Sequence, residues 1–189
     1  MIIDFATITT AKRYSLMSNT IFPRPIAWIS TEDNGVINIA PFSYFTPIGS
    51  NPPYLIVSIS NKQDGTQKDT LANILKHQKC TINLAHKELL EMLQKSAEEL
   101  PKDISEAEKF DIEMQTLIED FPPMVKNAKC ALFCKYVQTI DLIGVNQPII
   151  LEIEHLYVND ESVDEKQHIN LENIGRVGMD FLVDSKRVR

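Results

Sequence analysis

Residues 24–31 and 35–41 are two apolar, β-prone runs separated by Glu32-Asp33-Asn34-Gly35. They read as a hairpin, because Asn-Gly after Asp supplies the positive φ angles of a tight turn. Its first strand is apolar on both faces, with Ile26 and Trp28 on one and Ala27 and Ile29 on the other. A half-exposed strand would alternate apolar with polar, so both faces need cover. A barrel interior takes one face, and a second subunit or a helix of the same chain takes the other. Pro41 lacks a ladder donor, so regular pairing stops there or moves to a sheet edge.

Further along, residues 54–60 form a β-branched run expected as a central strand. A polar loop over 61–68 leads to a short helix over 70–77, capped by Asp69 or Thr70, with Leu71, Ile74 and Leu75 on one face. A strand follows over 80–84. Residues 86–100 read as an amphipathic helix, with Leu89, Leu93 and Ala97 spaced by four, Leu90 beside them, and Pro101 as the stop. Residues 102–128 read as irregular, punctuated by Phe121-Pro122-Pro123. Long strands are expected over 130–137 and 148–158, then a turn at 159–162 and a C-terminal arm. Many strands with few helices and no linker predict one domain over 1–189. It is mainly β, a closed barrel with peripheral helices.

Composition narrows the partners. The 189 residues carry a formal charge of −7, and the pI is near 5.1. That argues against nucleic acid, which selects for a clustered basic face. Lys186, Arg187 and Arg189 are the one basic cluster, read as a solvated end. The first residues lack the basic and apolar regions of a signal peptide, and no apolar run approaches the roughly 20 residues of a membrane span. A cytoplasmic protein without a membrane partner is the expectation. The three cysteines fit reduced, buried thiols. Cys130 and Cys134 lie about 13 Å apart along one strand, too far to bridge. Metal-ligand spacing is absent.

The candidate chemistry is polar and sparse. Ser30, Thr31, Lys68 and Thr70 can donate to a phosphate, helped by the free N–H groups at the start of the 70–77 helix. Asp69 opposes an anion there, and plain capping with a solvated Lys68 explains the same residues. Ser58 is either a ligand contact or a satisfied core hydroxyl. Arg24, fixed between Pro23 and Pro25, reaches a phosphate or ribityl chain, or else a neighbouring acid. Trp28 reads as packing. His77 and His86 read as surface or capping residues, and His168 as a solvated loop residue that can approach a cofactor. No acid–base or nucleophile constellation appears, so no catalytic residue is assigned. No Walker loop or dinucleotide fingerprint is present.

Pro23-Arg24-Pro25-Ile26-Ala27 through Ser30-Thr31, and Gly35 through Asn38-Ile39-Ala40-Pro41-Phe42-Ser43-Tyr44-Phe45, resemble the flavin reductase-like family of FMN-binding split barrels, which includes flavoredoxin. The likeness continues through Asn51-Pro52-Pro53-Tyr54, Lys68-Asp69-Thr70-Leu71-Ala72-Asn73 and the tail Gly175-Arg176-Val177-Gly178. The resemblance implies a Greek-key split β-barrel, acting as a homodimer with FMN near the subunit interface. It implies that Ser30, Thr31, Lys68 and Thr70 hold the FMN phosphate. It also implies that Asn38, Ala40, Pro41, Phe42 and Ser43 lie along the isoalloxazine ring, with plain turn chemistry the other account of Asn38 and Ser43. The expected reaction is hydride transfer from NAD(P)H to flavin N5. The rivals are a flavoredoxin-like electron carrier serving a redox partner protein, or a non-enzymatic cofactor-binding module. Two positions depart from the family pattern, which has Gly where this chain has Leu151 and a second Gly where it has Met179.

Overall fold

The computed structural model describes residues 1–144 and 146–184. The basic cluster Lys186, Arg187 and Arg189 lies outside them. In chain order the elements are α1 (Thr10–Thr20), β1 (Arg24–Pro25), β2 (Ala27–Asp33), β3 (Val36–Phe42), β4 (Phe45–Pro47), β5 (Tyr54–Ser60), α2 (Asp69–His77) and β6 (Lys79–Leu84). There follow α3 (Leu90–Lys95), α4 (Glu106–Lys109), β7 (Met114–Gln115), β8 (Met124–Val125), β9 (Cys130–Thr139), β10 (Asn146–Val158), β11 (Gly175–Val177) and β12 (Asp180–Leu182). Among the described residues, no helix is long and apolar enough to cross a membrane, and no cluster of His, Cys, Asp or Glu is arranged to hold a metal.

The main sheet is antiparallel, in the order β3-β2-β6-β9-β10-β5-β4. Its two edge strands, β3 and β4, are separated in sequence only by Ser43 and Tyr44. One stretch of chain therefore lies at both ends of the sheet and draws them together. The Ser58 N–H donates to the Tyr44 carbonyl at 2.8 Å. Register shifts between Ile150 and Leu151, and between Ile153 and His155, bend the long β9–β10 pair as bulges do. The result is a split barrel. Pro41 is tolerated because β3 is an edge strand.

The hairpin turn is tighter than expected. Asp33 pairs with Val36 inside the ladder, so only Asn34 (φ 52°) and Gly35 (φ 80°) turn the chain, the two positive angles a type I′ turn requires. The strand over 54–60 is interior to the sheet, paired with β10 on one side and the short edge strand β4 on the other.

Two apolar cores flank the sheet. Inside the barrel, Ala27, Ile29, Leu55, Val57, Ile59, Ile82, Ile149 and Leu151 pack with Leu71 and Ile74 of α2. Outside it, Ile26, Trp28, Ile39, Ala131 and Phe133 are covered by Leu89, Leu93, Phe121, Met124 and Val125. The second apolar face of the hairpin is thus covered by residues 85–128 of the same chain. That face therefore needs no second subunit to cover it.

The expected helix over 86–100 is broken. It is a 3-10 turn (Lys87–Leu89) followed by α3, which stops at Lys95. The stop follows from the outer core: Ser96 is buried and accepts from the Trp28 indole N–H at 2.8 Å. Pulling Ser96 inward leaves Ala97 exposed. His86, expected at the surface or as a cap, is buried at the N-cap position of the 3-10 turn, where its side chain makes no capping hydrogen bond, and burial pushes its imidazole below the ordinary value. Residues 102–128 are more ordered than expected, holding α4 and the β7–β8 pair. Asn83 ties that pair down, its side-chain carbonyl accepting from the Val125 N–H at 2.8 Å. All three cysteines are buried free thiols. Cys80 and Cys134 face each other across β6 and β9, and burial pushes Cys80 up to about 12.

Candidate functional site

The two sequence segments singled out for chemistry meet in space, but not as a phosphate cradle. Thr70 donates to the Asn38 side-chain carbonyl at 2.7 Å, and Thr31 donates to the same oxygen at 3.4 Å. Asn73 donates to Thr31 at 3.1 Å. The Asn38 amide donates to both carboxylate oxygens of Glu106 at 3.1 Å, and Glu106 also accepts from the Ile39 N–H at 3.0 Å. Beside it, Ser105 donates to the Ile37 carbonyl at 2.6 Å. Ser105 and Glu106 therefore serve the exposed edge of β3 as a neighbouring strand would, which protects that edge. Burial raises the Glu106 carboxyl above its ordinary value.

This network changes the phosphate assignment. Ser30 is fully buried and donates to the Pro123 carbonyl at 2.6 Å. Thr31 and Thr70 are likewise buried and committed to Asn38. All three hydroxyls are buried and spend a hydrogen bond inside the fold, Ser30 on the 102–128 segment and Thr31 and Thr70 on Asn38. Neither Asp69 nor Thr70 caps α2. The N-cap position is Lys68, and no side chain caps the helix. Asp69 instead pairs with Lys62 at 2.7 Å, and Lys68 pairs with Glu99 at 2.7 Å. Among the described residues, the first N–H groups of α2 are thus left without a side-chain acceptor.

Arg24 pairs with no acid among the described residues. It is buried and donates to the carbonyls of Ser18 (2.5 Å) and Gly178 (3.3 Å), tying α1 to the β11–β12 hairpin. Its Nε is left without an acceptor. Gly178 is required there, since its φ is +50° and a Cβ would meet the Asn19 side chain at 2.6 Å. Leu151, where the family pattern has Gly, is fully buried in the barrel core. Met179 is exposed. His168 is exposed and pairs with Asp164.

The other expected residues line an open groove of about 820 Å³ between α1 and the barrel seam. Pro41, Phe42 and Ser43 form one wall, Ser58 and Ser60 the other, with Tyr14 and Met17 of α1 above. Ala40 is half-buried on the strand leading into it. Ser43, Ser58 and Ser60 commit their hydroxyls to no other group among the described residues. Three uncommitted hydroxyls facing an aromatic and proline wall suit a planar heteroaromatic with polar edges. A flavin fits this donor set through its ring and ribityl chain. Ser60 was legible in the sequence, since it lies two residues from Ser58 on the same strand face. Tyr14 carried no local signal, because only the docking of α1 brings it to the groove.

Known proteins place this geometry. A family model described as the flavin reductase like domain matches residues 17–175. An uncharacterized protein of Aquifex aeolicus is 34% identical over 178 residues, covering 90% of this chain and 88% of that one. The crystal structure of nitrilotriacetate monooxygenase component B from Bacillus cereus superposes with a TM-score of 0.92 at 26% identity, covering all of this chain and 98% of that one. That of 2-nitrobenzoate 2-nitroreductase from Pseudomonas fluorescens gives 0.90 at 26%, covering all of this chain and 94% of that one. With its seam groove on a split barrel and this match over most of its length, the chain belongs to the flavin reductase-like family.

Proposed function

We propose that this protein is an FMN-dependent oxidoreductase of the flavin reductase type, taking hydride from NAD(P)H. The observation that carries the reading is the seam groove. Its Pro41-Phe42-Ser43 wall is part of the family motif, and the hydroxyls of Ser43, Ser58 and Ser60 await partners. FMN supplies the hydride-accepting chemistry at its N5 atom. The chain supplies position: Pro41 offers an apolar support, and the serines offer hydrogen bonds to polar edges. No side chain in the groove is placed as a general acid or base, which suits hydride transfer.

The phosphate falls to Lys68 and the uncapped start of α2. A helix N-terminus without a side-chain cap offers N–H donors and a positive dipole end. The present partner of Lys68 is Glu99, half-exposed, and an exposed pair of this kind is worth little. A phosphate can displace it cheaply.

We propose a homodimer formed through a different surface from the hairpin. Met17, Ile21 and Phe22, at the end of α1 beside the groove, are exposed apolar side chains. A symmetric partner is the commonest way to cover such a surface.

Anaerobic addition of NADH or NADPH to FMN-loaded protein tests the reading. Catalytic bleaching of the flavin absorbance supports a reductase. Tight FMN binding without bleaching by either nicotinamide shifts the reading to an electron carrier serving a protein partner. Failure to bind FMN overturns it.

A further inference from the structure

The small sheet β1-β11-β12 sets three side chains in one row. Arg24 is the direct partner of Arg176, and Arg176 is the direct partner of Phe181. Two cations directly opposite each other on an antiparallel pair repel. Arg24 spends its terminal Nη groups on backbone carbonyls. Arg176 has no such outlet. Its guanidinium lies over the Phe181 ring, 4.2 Å from the centroid. Among the described residues it makes no hydrogen bond and no ion pair. Tyr14 and Asp180 are close enough to favour its charge, yet neither pairs with it, and Asp180 is exposed to solvent.

Arg176 faces a cleft of about 390 Å³ lined also by Tyr14, Pro41, Ser43, Gln94 and Phe181. This cleft adjoins the seam groove and shares Tyr14, Pro41 and Ser43 with it. The stack on Phe181 covers one face of the guanidinium plane and fixes its orientation. The in-plane N–H donors, which take a carboxylate or phosphate in a forked pair, are left uncommitted. A fixed, half-buried, unpaired guanidinium beside an apolar floor is a recognition group without its ligand.

We propose that Arg176 is the anion-recognition residue of a second ligand site, which takes a planar ring bearing a carboxylate or phosphate next to the flavin. The proposal rests on the flavin reading, because the shared wall at Pro41 and Ser43 makes the two ligands neighbours. Ring stacking against Phe181 and Pro41 supplies binding area, and Arg176 chooses the anion.

The test is calorimetric titration of the flavin-loaded protein with two matched pairs of probes. Benzoate against benzamide reads a carboxylate source. Nicotinamide mononucleotide against nicotinamide riboside reads a phosphate source. In at least one pair the anion should bind tighter than its neutral twin, by roughly tenfold or more. Arg176→Gln should bring that pair to near equality, and Arg176→Lys should restore part of the preference without the fork. Circular dichroism confirms that both variants are folded; if Arg176→Gln is not, Arg176→Lys alone must still weaken the preference. An anion preference that survives both substitutions, or the lack of one in both pairs, overturns the proposal. If the protein binds no flavin, the same titrations on the flavin-free chain decide it separately: an Arg176-dependent preference there sustains the anion site while the flavin reading fails.

Discussion

Thr70 donates to Asn38 at 2.7 Å, and this bond joins the first hairpin to α2 across 32 residues of sequence. Both residues belong to segments that match the family, and in this chain they hold each other. Asn38 passes the connection on to Glu106, so three segments meet at one amide. Glu106→Gln replaces one acceptor oxygen with an N–H₂ group set against the donors of Asn38 or Ile39. Leaving buried polar groups unpaired costs about 1–3 kcal/mol, and chemical denaturation should show a loss of that size. An unchanged midpoint would mean the network contributes nothing to stability.

Ser96→Ala removes the acceptor of the Trp28 indole N–H. The buried N–H then has no partner, and stability should fall by about 1–3 kcal/mol. Trp28 is the single tryptophan, so its fluorescence reports the local change directly. FMN affinity should be unaffected, because neither Trp28 nor Ser96 lines the groove.

Lys68→Ala should weaken FMN binding roughly tenfold to a hundredfold, the worth of one charge-assisted contact. Riboflavin, which lacks the phosphate, should bind the variant and the parent equally. Arg13→Ala is the comparison, since Arg13 is the cation that lines the groove itself. If Arg13 carries the FMN preference and Lys68 does not, the phosphate lies at α1 rather than at α2.

Asp33 sits at the hairpin turn against Lys76 (2.5 Å), His77 (2.8 Å) and Lys102 (3.3 Å). Hydrogen bonds from Lys76 and then His77 hold its carboxyl well below the ordinary carboxylate range. A depressed carboxylate contributes stability above its unfolded value near pH 4 and loses it as the pH falls toward the folded value. The gap between the parent and Asp33→Asn in urea midpoint should be widest near about pH 7 and narrow below about pH 4. A constant gap would show that Asp33 acts through packing alone.

Light scattering at low micromolar concentration should give a mass near twice the 21.5 kDa of one chain. Replacing Ile21 and Phe22, both exposed, with serine should shift it toward the monomer. A monomeric parent that still holds FMN would place the whole flavin site within one chain.

The sequence by itself determined the local pieces. Asn34-Gly35 set the turn, because few other pairs accept two positive φ angles. The β-branched run over 54–60 set β5, the apolar runs over 130–137 and 148–158 set β9 and β10, and the spacing of Leu71 and Ile74 set α2. The motif from Pro23 to Phe45 identified the family. Local pattern could not show what would be opposite what. The amphipathic spacing over 86–100 is real, yet the helix stops at Lys95 because Trp28, far away in sequence, requires Ser96. Ser30, Thr31 and Thr70 are polar and clustered, as a phosphate site would be, yet they are buried and spend hydrogen bonds inside the fold. Pairing Arg24 with Arg176 is likewise invisible along the chain. Hydroxyls, amides and guanidinium groups have the same local signature whether they serve the fold or a ligand. Only the tertiary structure decides between these, because it alone shows which donors already have acceptors.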